Sequence, residues 1–262
     1  MNAAGESDRL PPSIGGLLGF ALRAWAANAP LYLALQLGVF AAYCIAEVVV
    51  PAASPTSPQG QFKLYVLVYT GLFADALVIA AVAIGVAARA VAAQTSARAV
   101  TGAAIDRWLP VIAVSLIAQS LVFLTQASSG LGPPSDPRIL QYLTAPIVWI
   151  LWGILGLTGP FVALGPDRRA FSVVAAFVHA FSTSLHRANL FRLCVLAIIT
   201  VLPTVLQVVA YDALAAHHVV RSIFWANYPI DALTVGPIAA IQTVFALDFA
   251  RRAGATDEPP PA

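Results

Sequence analysis

An ionisable side chain in the middle of a long apolar run costs about 2.5–3.5 kcal/mol to insert into a bilayer, so it marks a place where polar chemistry is wanted. Two residues of this chain stand inside such runs, Asp75 and Glu47. Asp75 lies eleven residues into the run from Leu64 to Ala88, ~17 Å deep at the α-helical rise and so near a bilayer midplane. Glu47 lies five residues before the end of the run from Leu31 to Ala52, within reach of headgroup water. No Lys, Arg or His stands inside any run. Asp75 is therefore protonated, hydrated in a cavity, or hydrogen-bonded to Gln119, Gln207, Gln242 or Thr158 of neighbouring helices. Two roles fit it: a polar link between helices, worth on the order of 0.6 kcal/mol per bond, or part of a proton or substrate pathway.

Catalysis finds less support. A single carboxyl without a partner cannot run the paired acid and base chemistry of a hydrolase, and no activated nucleophile or cluster of His and carboxylates accompanies it. The adjacent His217 and His218 lack further metal ligands at suitable spacing. Cys44 and Cys194 fall inside apolar runs, where a thiol behaves as a small hydrophobe. The expectation is a non-enzymatic protein with no catalytic residue, cofactor or metal.

The elements that position Asp75 are six apolar runs: Leu31 to Ala52, Leu64 to Ala88, Leu109 to Ala127, Leu143 to Leu164, Leu193 to Ala210 and Ala232 to Leu247. A spanning helix needs roughly 17–25 residues. The chain is 60% hydrophobic and 10% charged, with a mean hydropathy of +0.83, far from the balance of a water-soluble domain. Unpaired backbone groups are too costly in hydrocarbon for anything but helices or a closed barrel, and the absence of period-two alternation chooses helices. The fold class is all-α: a polytopic bundle of six transmembrane helices with amphipathic interfacial helices on the cytoplasmic side. The net charge of +2 is not gathered on a water-facing domain, which excludes a nucleic-acid partner. Residues 1–12, with Glu6, Asp8 and two prolines, do not resemble a cleaved signal peptide and are expected as a disordered tail, followed by one membrane domain over 13–252 and a second tail over 253–262.

Cytoplasmic loops collect Lys and Arg. With both termini inside, the inner segments hold Arg9, Arg23, Arg89, Arg98, Arg107, Arg168, Arg169, Arg187, Arg192, Arg251 and Arg252, leaving Lys63, Arg138 and Arg221 outside. Outer connections are turn-like: Pro51 to Gly60 and Ser128 to Pro137 are rich in Pro, Ser and Gly. The third, Tyr211 to Ile230, carries Phe224, Trp225 and Tyr228, residues that favour interfaces. Gly153, Gly156 and Gly159, followed by Pro160, mark a closely packed fourth span. Pro203 and Pro237 interrupt the fifth and sixth, freeing backbone carbonyls.

Before the first, third and fifth spans lie segments of helical character. Ser13 caps a helix whose face is Ile14, Leu17, Leu18, Ala21, Leu22 and Trp25. Phe171, Val174, Ala175, Val178, Phe181 and Leu185 repeat the pattern, and Ala92 to Ile105 is Ala-rich with a weaker face. Such helices lie in the interface, where Arg23, Arg107, Arg187 and Arg192 are candidate contacts for lipid headgroups, each worth about 1 kcal/mol near an anionic leaflet. Pro30, Pro110 and Leu190 are 80 residues apart, as are Trp25, Ile105 and Leu185. That spacing fits either three parallel repeats, each an interfacial helix and a two-span hairpin, or a chance recurrence of apolar segments.

The opening SIGGLLGFALRAWAANAPLYLAL, the central SLHRANLFRLCVL and the closing Asp248, Phe249, Ala250, Arg251 and Arg252 resemble the bacterial six-helix proteins related to the membrane domain of glycerophosphodiester phosphodiesterases. Arg187, Ala188, Asn189 and Arg192 match that family's stretch before the fifth span, with Ala where Gly is usual, and Asp167 approximates an acidic residue after the fourth. The resemblance implies a membrane-embedded module of a bacterial-type inner membrane without a catalytic residue set or the soluble phosphodiesterase domain. The leading functional expectation is a lipid-contacting or partner-binding module of the cell envelope, with membrane lipids and other membrane proteins as partners. The alternative is a small transporter or channel with Asp75 in its pathway.

The distribution of basic residues predicts that reporter fusions placed after Gly132 and after Ala255 lie on opposite sides of the membrane, the second in the cytoplasm. Finding both on one side refutes the span count or the orientation.

Overall fold

The computed structural model describes residues 10–49, 58–93, 95–125, 138–165, 171–216 and 224–257. It contains eight α-helices among these residues: α1 (Ile14–Ala26), α2 (Ala29–Val49), α3 (Pro58–Ala90), α4 (Ala97–Thr125), α5 (Arg138–Leu164), α6 (Phe171–Ser184), α7 (Leu190–Ala216) and α8 (Phe224–Asp257), with a 3₁₀ turn at Arg187–Asn189. No strand occurs among them. Five helical stretches are long and apolar enough to cross a membrane: Tyr69–Ala90, Ala97–Val122, Leu143–Leu164, Arg187–Ala210 and Pro229–Gly254. The protein is thus an all-α, multi-pass membrane protein. The first expected span is the 21-residue α2, which does not join those five by length and composition among the described residues.

Burial sorts the long helices into two classes. A helix buried on all sides can be apolar all round. In α3 the consecutive residues Ala80, Ala81, Val82 and Ala83 are all fully buried, as are Val244, Phe245 and Ala246 in α8, while α5 buries Ile154, Leu155 and Leu157. These three helices pack on one another at the centre. The other three keep exposed apolar stripes at helical spacing: Leu33 and Leu37 in α2, Ile117, Leu121 and Leu124 in α4, Ile198, Leu202, Leu206 and Val209 in α7. A surface of that kind suits hydrocarbon, and it would be a liability in water.

The outer helices each sit between two central ones. α2 packs on α3 and α8, α4 on α3 and α5, and α7 on α5 and α8. The short helices obey the same rotation, with α1 laid on α8 and α6 on α5. This is threefold pseudosymmetry, in which each unit supplies one central and one outer helix. The repeat is clearer in the packing than in individual residues. Trp25 packs against the core, whereas Ile105 and Leu185 are exposed. The middle unit also lacks a break: Pro110 lies inside a continuous α4. The expected helix from Ala92 to Ile105 is replaced by a turn with Ala92 at φ 53° and a helix that starts at Ala97. There Ser96 Oγ accepts the Ala99 amide at 3.2 Å, a cap that delays the helix start.

Ser13 caps α1 as expected, its Oγ accepting from the Gly16 amide at 3.1 Å. Leu17, Ala21 and Ala24 form the buried stripe, and Leu22 is exposed. α6 buries Ala176 and Ala180 rather than the stripe read from the sequence, leaving Val174 and Val178 exposed. Both of its faces are apolar, and the smaller residues allow α6 to lie closer to α5. The third outer connection is shorter than expected, because α7 runs on to Ala216 and α8 begins at Phe224. α8 likewise continues to Asp257, beyond the boundary expected at 252. His217, His218, Asp167 and the segment Ser128 to Pro137 lie outside the described residues.

One end of the bundle is fastened by a buried carboxylate. Asp248 has no exposed surface, yet Arg192 reaches its Oδ2 at 2.6 Å, Arg251 its Oδ1 at 2.6 Å and Arg252 its Oδ2 at 3.0 Å. The same guanidiniums bind the chain before α1: Arg251 donates to the Leu10 carbonyl at 3.2 Å, Arg252 to that of Pro12 at 3.4 Å, and Arg192 to that of Pro12 as well. Buried Asn189 donates to the carbonyls of Thr183 at 2.8 Å and Phe249 at 3.2 Å. Residues 10–12, expected in a tail, are instead held here, with Leu10 buried.

Helix α2 is seated through Gly85 of α3, where a Cβ would overlap the hydroxyl of fully buried Tyr32. Gly85→Ala is expected to lower stability by about 1–3 kcal/mol, read as a lower melting temperature in detergent. Tyr32→Phe removes the clashing oxygen and should restore most of the loss; an additive double variant would refute this seating.

Candidate functional site

A cavity of about 470 Å³ opens between α3, α4, α5, α7 and α8, the helices that carry the five long apolar stretches. Each helix presents one stripe to it. On α4 these are Ser115, Ala118, Gln119 and Val122, and on α7 Thr200, Pro203, Thr204 and Gln207; both follow the i, i+3, i+4, i+7 rule for one helix face. α8 gives Asp231, Thr234, Val235 and Ile238, with Gln242 one turn further. Asp75 comes from α3, and α5 brings Trp152, Gly156, Thr158 and Gly159.

The polar residues that the sequence offered as partners of Asp75 therefore meet: Gln119, Gln207, Gln242 and Thr158 all line this cavity. One acidic neighbour, Asp231, is not among them. The carboxyl groups of Asp75 and Asp231 line the same cavity as neighbours, and two carboxylates sharing a low-dielectric site cannot both ionise without strong repulsion. The sixth apolar run is read from Ala232 and the connection before it to Ile230, so Asp231 falls between them. Its signal was available in the spacing from Gln242, since eleven residues are three helical turns. The lone-carboxyl argument against paired acid and base chemistry falls with this finding.

The wall is rich in acceptors. Thr158 donates its hydroxyl proton to the Leu155 carbonyl at 2.6 Å, and Thr234 to that of Ile230 at 2.7 Å. Such back-bonding to the parent helix leaves the hydroxyl oxygen with acceptor capacity only. Asp75 Oδ1 and Thr200 Oγ1 are buried without a protein partner. Pro160 has no N–H for the carbonyl of Gly156, which lines the cavity, and Pro203 none for that of Ile199. Trp152 closes one side, its Nε1 donating to Thr125 Oγ1 at 3.0 Å. Among the described residues, no Lys, Arg or His lines the cavity.

The glycines of α5 set how closely this wall is drawn. A Cβ on Gly153 would lie 3.0 Å from the Ala197 Cα of α7, one on Gly159 would lie 3.0 Å from Ile79 of α3, and one on Gly156 would overlap the Gln242 amide of α8. Three glycines thus meet three helices, and the close packing expected of them is present.

The remaining candidates lie elsewhere. Glu47 belongs to α2, but its side chain is outside the described ones. Arg23 on α1 and Arg187 in the 3₁₀ turn are exposed, Arg107 on α4 is half-buried, and Arg192 is engaged with Asp248. Cys44 is half-buried and Cys194 exposed. No family model matches the chain, and neither a curated protein nor a solved structure matches it.

A polar cavity of this size should hold water. With Cys44 and Cys194 replaced by Ser, a cysteine at Gln207 is expected to react with a membrane-impermeant methanethiosulfonate, whereas one at outward-facing Leu206 is not. Equal labelling of both positions would show that the α7 stripe does not face a wet cavity.

Proposed function

We propose that the protein is a non-enzymatic, six-span transporter of a small polar solute, with Asp75 and Asp231 at the centre of its pathway. The observation that carries this reading is the acid pair in a cavity lined by all five long apolar helices. A ligand site between helices of a bundle is the usual place for a pocket of a few hundred cubic ångströms, and ionisable groups at such depth belong to substrate or proton pathways by default. In this reading α2 is the sixth span, both termini are cytoplasmic, and the membrane is of the bacterial inner type. The 11 to 3 division of basic residues supports the orientation. α1 and α6 lie along the cytoplasmic interface, where the exposed Val174 and Val178 meet lipid.

An acid pair is also the apparatus of an aspartic hydrolase. Transport is favoured because the site is built from every long apolar helix, which lets small relative tilts of the helices change access to it.

A second reading, the lipid-contacting module related to the phosphodiesterase membrane domains, draws on a hollow of about 510 Å³ beside Asn28, Arg89 and Thr95. Exposed Arg89 there, with Arg23 and Arg187, would meet anionic headgroups.

The variant that separates the two readings is Asp75→Asn, which keeps size and hydrogen bonding and removes titration. In liposomes loaded with a pH-sensitive dye, the native protein is expected to pass protons after an external acid pulse. Asp75→Asn, monodisperse and with an unchanged melting temperature, is expected to pass none. Unchanged proton passage in the variant removes the transport reading, and phospholipids retained on the purified protein, identified by mass spectrometry, would then support the module.

A further inference from the structure

The charge of the cavity narrows what it can hold. Asp75 and Asp231 are its titratable side chains, and the rest of the lining from α3, α4, α5, α7 and α8 consists of amides, hydroxyls, an indole and apolar groups. Arg192, Arg251, Arg252 and Asp248 belong to the other end of the bundle: Asp231 and Asp248 are 17 residues apart on α8, ~26 Å at the helical rise. On the near side, Asp212 of α7 is exposed, five residues beyond Gln207. Among the described residues lining the cavity, no basic side chain balances the acid pair.

A net charge in a low-dielectric site is expensive, so the pair must be neutralised. Repulsion between two carboxylates in one such site keeps a proton on the pair, which leaves a single negative charge. Asp75 Oδ1 is buried without a protein partner. Only a second proton or a positively charged ligand can cancel that charge. The hydroxyl oxygens of Thr158 and Thr234, whose protons are already donated to their own helices, can only accept and so favour a cation over an anion beside the pair.

We infer that the cavity binds a monovalent organic cation of quaternary-ammonium size, and that this cation and one proton replace each other at Asp75 Oδ1. Charge balances in each direction. The empty site carries two protons on two carboxyls and is neutral; the loaded site carries one proton and one cation and is neutral again. The proton leaving Asp75 goes to water in the cavity, and the other proton of the pair stays. Size argues for an organic ion. A volume of about 470 Å³ is many times the ~30 Å³ share of one water, far more than a bare metal ion fills. The proposal rests on the transporter reading for the purpose of the site, but binding can be measured without transport.

The test is isothermal titration of the full chain in detergent with tetraethylammonium, in buffers of different ionisation enthalpy, with potassium as the inorganic comparison. Tetraethylammonium is expected to bind with release of close to one proton, and potassium not to bind. Asp75→Asn should weaken binding by at least about thirtyfold, the smaller loss typical of removing one partner of a buried charge pair. Ser13→Ala, remote from the cavity, should bind as the native chain does. Absence of tetraethylammonium binding, binding without proton release, or equal binding of potassium overturns the inference. Asp75-dependent proton passage in liposomes without tetraethylammonium binding would remove the cation and leave the pathway. Binding with proton release but without proton movement driven by a tetraethylammonium gradient in liposomes would remove the pathway and leave the cation site.

Discussion

Everything in this fold answers to one constraint: a charge inside a low-dielectric bundle must be cancelled locally. Helix α8 meets it in two opposite ways along its length. Asp248 is cancelled by three guanidiniums, and the surplus positive charge is spread over the carbonyls of Leu10 and Pro12. Asp231 has another carboxyl for a neighbour. The first arrangement is complete within the protein and can only hold. The second is incomplete without a proton or a ligand, and so can exchange.

Between these poles the helices are arranged by size. Alanine and valine fill the buried contacts of α3, and glycines let α5 come close to its neighbours, so that the larger Leu157, Phe245 and Phe249 of α5 and α8 fit at the centre, while exposed bulky aliphatics line α2, α4 and α7. Small residues at helix contacts are the usual device where dispersion rather than water expulsion drives association. The cavity forms where this rule is relaxed, where Thr, Gln and Asp take positions along the same faces.

Much of this was legible in the residues. The apolar runs located the long helices, Ser13 announced α1, and the glycines of α5 marked close contacts. Asp75 with Gln119, Gln207, Gln242 and Thr158 named most of the cavity's polar wall, because a buried polar group needs partners and few others were on offer. What failed did so for physical reasons. Asp231 was lost because a run was ended at a charge, although helices do not stop at charges when a partner awaits them. The face of α6 was misread because both of its sides are apolar and only packing chooses between them. The roles of Arg192 and Asp248 depend on residues 56 apart, which no local pattern links.

The threefold ring also has a consequence for synthesis. Its first unit is closed by its last: α1 and α2 both pack on α8, and the guanidiniums of α8 hold the carbonyls that precede α1. While α8 is still unmade, the polar face that α1 and α2 turn toward it, including buried Gln36 and the indole of Trp25 beside Gly236, has no final neighbour. Early helices must wait in the bilayer with polar groups uncovered until translation of the eighth is finished. Contacts of such long sequence separation make folding slow, and they make this chain an assembly that a nascent fragment cannot anticipate.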